Sequence, residues 1–364
     1  MKKTVKKTKA SESGGGNQQH RVVEQLRQSI LDGTYAAGGK LPNQSELANH
    51  FKVSGFTVHR ALNQLGREGF IRKRPRLGTH VVDTPPHLVN LALVFAHDPS
   101  SKKEGFNKFY QALENAAITY QYSTERNIFR FHGINVHTDS QDRQRLLDCL
   151  ASHQLAGIIF AFPPFNLEGS PILDMPGVPR VAFESKQMYP HVPSVTTDGH
   201  SFIDRALDHL ATRKRKRIAM LLVPGLEDND PYLNAALAKR GLESPPHWRL
   251  ILSQGAPEGA RNCVRLLMHD RLEARPDGLI IFDDNLVEEA QAGLIASGVK
   301  VPEDIDVVEH CNFPCAKSVL ATRRLGYDSY QILNLCIDLI DRQRKGEKVP
   351  GQTLVPAVFE DEVK

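Results

Sequence analysis

Apolar positions change their period along this chain. Between residues 20 and 34 they fall at Val23, Leu26, Ile30 and Leu31, one face of an amphipathic helix that Gly33 ends. Leu47, Ala48 and Phe51 repeat the helical spacing, and Asn43 stands ahead of them as a cap whose side-chain oxygen can accept a free amide proton. Lys52-Val53-Ser54 breaks the pattern and supplies a second cap, Ser54. Val58, Ala61, Leu62 and Leu65 then share a face of the next helix. Two short helices joined by a tight turn, residues 43–62, predict a helix-turn-helix whose second helix suits a DNA major groove. Phe70-Ile71, the basic run Arg72-Lys73-Arg74-Pro75-Arg76 and Gly78-Thr79-His80-Val81-Val82 predict a small hairpin with a basic tip, a wing.

Beyond Asp83-Thr84-Pro85-Pro86, a stiff polar break, the pattern switches to apolar runs alternating with helical segments. LVNLALVF, GIIF, VPRVAFES, VPSVTT, RIAMLLV, WRLIL, DGLIIF and VPEDIDVV read as strands. Residues 103–120, 139–153, 201–211, 232–240, 259–269 and 285–298 read as helices between them. Continuous apolar strands are those buried on both faces, so the alternation predicts an α/β, doubly wound parallel sheet. About 275 residues are too many for one ordinary sheet and suit two similar lobes. The expected domains are a disordered basic tail, 1–19; the winged helix-turn-helix, 20–83; a linker, 84–87; and the two-lobed body, 88–364.

Charge sharpens this division. Residues 1–83 hold 15 Lys and Arg against 6 Asp and Glu, a net of +9, which leaves −5 on the remainder of a chain whose formal charge is +4. A basic head on an acidic body implies that one end meets a polyanion. Five scattered cysteines, with no CxxC pair, fit a reducing cytoplasm. Cys311 and Cys315 sit four apart in CNFPC without evident further metal ligands, which favours chance spacing over a metal site. No apolar run approaches the roughly 20 residues of a membrane span, and the lysine-rich start has no apolar core of a secretory signal. A cytoplasmic protein with no membrane partner is expected.

The head resembles the winged-helix domain of the GntR family of bacterial transcription regulators, in VVEQLRQSILDGTY, AAGGKLPNQSELA, VSGFTVHRALNQLGREGFI and RPRLGTHV. The body resembles the effector domain of the LacI family, which shares its fold with periplasmic sugar-binding proteins, in DGHSFIDRALDHLATRKRKRIAML and PDGLIIFDDNLVEEAQAGLIASGVKVPEDIDVV. A GntR-type head on a LacI-type body is the layout of arabinose-repressor-type regulators.

The candidate DNA contacts are Asn43, Gln44 and Ser45, then Ser54, Gly55, Phe56, Thr57, His59 and Arg60 on the second helix, and Arg74, Arg76, Gly78 and Thr79 in the wing. Phe56 either touches a thymine methyl or packs inside the domain. Arg74 and Arg76 suit phosphates, which position a protein without reading sequence. The resemblance implies arginine where Ser45, Gly55 and often His59 stand, so several usual guanine and phosphate contacts are absent.

The candidate effector residues lie in loops after strands, where open α/β sheets bind ligands: His97, Asp98, Phe162, Glu184, Asp198, Asn229, Asp230, Asp284 and Asn312. Carboxylates and amides among aromatics suit a polyol or sugar. The resemblance aligns Asp284 with an aspartate that binds effector hydroxyls; a helix N-cap is its alternative role. It places Asn229 where the family has an arginine and Glu309-His310-Cys311-Asn312 where it has Gly-aromatic-Asp-Asp.

These readings predict a homodimer on a two-fold double-stranded DNA operator, a repressor or activator of a carbohydrate-use operon, with a sugar-like effector setting the angle between its DNA-reading heads. A non-sugar or vestigial pocket is the alternative. An enzyme is not expected: there is no GxSxG, P-loop or HExxH, no lysine in a Schiff-base context and no implied cofactor. A transport binding protein is disfavoured by the DNA-binding head.

Overall fold

The structure is a computed structural model that describes residues 12–99, 107–135, 140–183, 189, 192–225, 230–270 and 274–363, with residues 12–16 and 230 in backbone only. The head contains α1 (Glu12–Leu31), α2 (Gln44–Phe51), α3 (Gly55–Arg67) and the hairpin β1 (Ile71–Arg74) and β2 (Gly78–Val81). Its core gathers Val22, Val23, Leu26 and Ile30 of α1, Leu47 of α2, Val58, Ala61, Leu62 and Leu65 of α3, and Phe70, Ile71 and Val81 around the wing. Arg27 is buried beside it, held by the carboxylates of Glu24 and Glu68.

The first helix starts at Glu12, so residues 12–19 of the expected disordered tail are helical. Gln19 donates from Nε2 to Gln64 Oε1 on α3 at 3.0 Å and so ties α1 at that point to the helix it packs on. The expected linker, 84–87, is a packed junction rather than a merely polar break. Pro85 and Pro86 are buried, His87 stacks on Phe70 of the head with ring centroids 5.9 Å apart, and Arg344 donates to the Leu88 carbonyl at 3.2 Å.

The body follows with α4 (Pro86–Val89), β3 (Asn90–Val94), α5 (Lys108–Ser123), β4 (Asn127–Phe131), α6 (Gln141–Ala151), β5 (Gly157–Phe160), α7 (Pro171–Asp174), β6 (Arg180–Phe183) and β7 (Ser194–Asp198). Next come α8 (Gly199–Thr212), β8 (Ile218–Leu222), α9 (Asp230–Lys239), β9 (Arg249–Ile251), α10 (Glu258–Leu267), β10 (Gly278–Ile281), α11 (Asp284–Ala296), β11 (Asp306–Phe313) and β12 (Arg323–Asp328). The chain ends through α12 (Ser329–Arg344), β13 (Gln352–Pro356) and β14 (Val358–Phe359). One lobe has the all-parallel order β13-β7-β6-β5-β3-β4. The other has β14-β12-β11-β10-β8-β9, parallel except at β14.

The chain passes between lobes three times: after β7, after β12 and after β13. Strand periodicity explains the layering. Leu91, Leu93 and Phe95 point into one apolar cluster and Ala92 and Val94 into another, because successive side chains leave a strand on opposite faces. Ala219 and Leu221 part from Ile218, Met220 and Leu222 in the same way. Gly157 lets α12 settle on the first sheet, since a Cβ there would lie 2.4 Å from Ile340 Cγ2. Strand β4 and the elements from β12 onward lie beyond the strands and helices expected from sequence.

Candidate functional site

In the head, Asn43 caps α2: its Oδ1 accepts from the amides of Ser45 at 3.0 Å and Glu46 at 2.9 Å, and Glu46 returns the contact to the Asn43 amide at 2.7 Å. Ser54 caps α3 and accepts from the Thr57 amide at 3.1 Å. Gln44 donates to the Gly55 carbonyl at 2.7 Å and locks α2 against the start of α3. These three expected DNA contacts therefore have side chains engaged within the motif.

Thr57 requires a correction. It is buried and its hydroxyl contacts Ser54 Oγ at 2.8 Å, because it shares the inward face of α3 with Val58, Ala61, Leu62 and Leu65. Phe56 points the other way and is 70% exposed, which removes the reading of it as core. Arg60 lies with its guanidinium 6.0 Å from the Phe56 ring. Ser45, His59 and Arg60 are exposed. His59 contacts Asn63 at 3.0 Å, and Lys73 of the wing donates to Asn63 Oδ1 at 2.7 Å. Asn63 thus couples the helix to the wing, a role without a sequence signal because it depends on which strand passes the helix.

At the wing tip Arg76 is exposed with φ 64° and Gly78 has φ 101°. A Cβ at Gly78 would meet Lys40 Cε at 3.0 Å. Arg74 is half-buried, 3.8 Å from Asp83, and Thr79 is half-buried with its carbonyl accepting the Leu41 amide. The outer face of α3 and the wing therefore present one aromatic ring, one imidazole and several cations on adjoining elements, the combination that suits base edges flanked by phosphates.

A cavity of about 460 Å³ lies between the lobes. Lys108, Gln111 and Asn115 of α5 wall it from one lobe; Asp284 and Gln291 of α11 and the stretch from Glu309 to Val319 wall it from the other. The two walls touch: Lys108 donates its amide to Asn285 Oδ1 at 3.2 Å and its ammonium to Glu288 at 3.0 Å.

Asp283, not Asp284, caps α11, accepting from the Asn285 amide at 2.9 Å. Asp284 is released to face inward. It is 8% exposed and accepts from Asn312 Nδ2 at 2.8 Å. Burial pushes its pKa up; His310, the Asn312 hydrogen bond and Lys108 oppose that, and Asp283 adds to it. Glu309, fully buried on β11, accepts from Gln291 Nε2 at 2.6 Å, and the same Nε2 lies 2.7 Å from Ser318 Oγ. Burial pushes Glu309 up as well, against hydrogen bonds from Gln291, Thr322 and Ser318. Nδ1 of His310 is buried without a hydrogen-bond partner among the described residues. Carboxylates, amides and an ammonium around one hollow match a ligand with many hydroxyls, each of which both donates and accepts.

Of the expected effector residues, the structure brings Asp284 and Asn312 together in this wall. Asp198 is elsewhere, capping α8 through the amides of His200 and Ser201 at 3.1 Å. Phe162 belongs to the outer core of the first lobe, packed edge-on to Phe160, since the apolar run of β5 continues past its end. His97 and Asp98 follow β3, and the His97 ring lies 6.2 Å from that of Tyr110. Glu184 and Asn229 lie outside the described residues, and Asp230 is described in backbone only, at the start of α9. Glu309 stood in a motif position named from sequence, but Lys108, Gln111, Asn115 and Gln291 had no motif to mark them; only the apposition of α5 with α11 and β11 makes them neighbours.

Residues 18–81 match the family model of bacterial regulatory proteins of the gntR family, and residues 207–358 match that of a periplasmic binding protein-like domain. An arabinose metabolism transcriptional repressor of Geobacillus stearothermophilus is 23% identical over 312 residues, 80% of this chain and 82% of that protein. One of Halalkalibacterium halodurans is 22% identical over 371 residues, 91% of each chain. Among solved structures, a LacI transcriptional regulator from a Rhodococcus species superposes with a TM-score of 0.57 at 19% identity, covering 74% of this chain and 96% of that one. This chain joins a GntR-type helix-turn-helix domain to a two-sheet α/β domain with the fold of LacI-family regulators. Among the described residues no helix is long and apolar enough to cross a membrane.

Proposed function

We propose that a chain of this make-up is a DNA-binding transcription repressor, acting as a homodimer on a two-fold operator, whose DNA affinity is set by a sugar-like polyol held between the lobes. The observation that carries the reading is the cavity walled by α5 of one lobe and by α11, β11 and the stretch after β11 of the other. A ligand bridging both walls favours one lobe arrangement over another, and an effector acts only through such a difference in affinity. The relatives named as arabinose repressors support a sugar in particular. The exposed Phe56, His59, Arg60 and Arg76 are the residues expected to meet DNA. Coupling of about 1–3 kcal/mol changes operator affinity roughly 5- to 150-fold.

The test is a salt-titrated binding assay on DNA adjoining the protein's own gene, with and without a panel of pentoses, hexoses and polyols. A site-specific complex that one sugar shifts at least about fivefold is the expected result. Specific binding that no sugar alters refutes the effector assignment, and binding with a steep salt slope and no site preference refutes the operator assignment.

A further inference from the structure

The effector reading uses Asn312 of the CNFPC segment and leaves its two cysteines without a role. Cys311 is buried on β11 and Cys315 is half-buried just beyond it; both line the cavity. Each thiol is the largest influence on the other's titration, which sets the two side by side in the wall. Arg324 of β12 donates from Nη1 to Cys315 Sγ at 3.4 Å and to the Ala316 carbonyl at 2.6 Å, and it is clamped from outside by the Glu360 carboxylate. The Cys311 contact and the Arg324 guanidinium hold the Cys315 thiol down at about 7, against burial and the nearby Glu309 charge. Donation to Cys315, followed by burial, pushes Cys311 up. The three other cysteines, Cys149, Cys263 and Cys336, are all pushed up by burial, Cys336 to about 12. A thiolate next to a guanidinium, with a second thiol four residues away on the same cavity wall, is the arrangement of an attacking and a resolving cysteine. No group of three or more His, Cys, Asp or Glu able to hold a metal occurs among the described residues, which favours thiol chemistry over a soft metal ion.

We propose that Cys311 and Cys315 are a peroxide-oxidisable dithiol that closes to a disulfide in the cavity wall. The Cys315 thiolate attacks a peroxide oxygen, the O–O bond breaks, and hydroxide leaves with the electron pair to give a sulfenic acid. The Cys311 sulfur then attacks the Cys315 sulfur. The S–S bond forms, the S–O bond breaks, and the departing hydroxide takes the Cys311 proton as water. Two thiols are oxidised and one hydrogen peroxide is reduced to two waters. The disulfide pins the wall beside Asn312, so oxidation changes sugar affinity; this consequence rests on the effector reading above.

The experiment treats the full-length protein with hydrogen peroxide between pH 6 and 8.5 and follows intact mass and differential alkylation. Wild type should lose two hydrogens, mapped to Cys311 and Cys315, at a rate rising through pH 7; the other groups around the pair are Glu309, Arg324, His310, Lys317, Asp284 and Lys108. C311S should stop at a dimedone-reactive sulfenic acid on Cys315, and C315S should react at least about tenfold more slowly while keeping the wild-type circular dichroism spectrum. Equal rates in C315S and wild type, or oxidation confined to Cys149 or Cys263, overturn the proposal. Sugar titration of oxidised against reduced protein reads the consequence separately: a disulfide that forms without altering sugar affinity overturns the effector link and leaves the dithiol standing.

Discussion

Asp284→Asn separates the two demands placed on the cavity. The wild-type carboxylate is 8% exposed, accepts from Asn312 at 2.8 Å, and among the described residues has only a 3.4 Å contact from Asn285 on its other oxygen. The amide keeps an acceptor for Asn312 and removes a buried charge, so stability should rise by about 1 kcal/mol, within the usual yield of a site relieved of functional strain. In a body of this size that corresponds to a Tm increase of about 2–4 °C at pH 7. The gain must depend on pH. Burial raises the folded pKa, so between the unfolded pKa, about 3.9, and the folded one the native state binds more protons. Wild type therefore loses stability as pH rises through that window. The advantage of Asp284→Asn should be absent below pH 4 and reach its plateau above the folded pKa. Effector affinity should move the other way. A hydroxyl bound to a carboxylate gains about 1.5–3 kcal/mol; the amide retains about half of it, so sugar binding should weaken roughly 4- to 13-fold. Differential scanning calorimetry from pH 3.5 to 8, followed by titration calorimetry with the responsive sugar, measures both. A variant that is no more stable than wild type at pH 7, or equally more stable at pH 3.5, refutes the burial argument; unchanged sugar affinity refutes the place of Asp284 in the site.

Phe56→Ala should leave the Tm within about 1 °C, since the ring is exposed, yet weaken operator binding by about 1–2 kcal/mol in a gel-shift titration, the value of burying most of such a ring. Arg76→Gln should lower affinity for all sequences alike and flatten the slope of log K against log salt by about 0.9, one phosphate contact. His87 is held neutral, down to about 4, by burial and then by the Arg344 and His153 charges. Its folded pKa lies below the unfolded one, so stability falls as pH drops from about 6.5 towards 4. After discounting for its partial exposure, about 1–2 kcal/mol should be lost over that range in urea titrations of wild type and retained in His87→Gln.

The helix-turn-helix was legible because its signals are local. Asn43 and Ser54 occupy cap positions that a short polar side chain fills by bonding the next few amides, and the stripe Val58, Ala61, Leu62, Leu65 needs only the period of a helix. The alternation of apolar strands with helices announced the doubly wound class for the same reason, since a strand buried on both faces must be apolar throughout. Asn127–Phe131 and Gln352–Pro356 escaped notice because each is an edge strand of its sheet with residues facing water, so no continuous apolar run marks it.

Local signals could not assign sides. Phe56 and Thr57 are neighbours in sequence, and only the packing of α3 on α1 decides that the aromatic one faces outward and the hydroxyl inward. Asp283 and Asp284 are equally good caps by type; the entry angle of α11 gives the cap to Asp283 and turns Asp284 to Asn312. The cavity lies further beyond local reading. Lys108 and Glu288 are 180 residues apart and meet because the chain crosses between lobes three times, which sets α5 against α11. Residue order carries periodicity and capping, which act over a few residues; which chemistry faces which depends on how whole elements dock, a property of the entire chain.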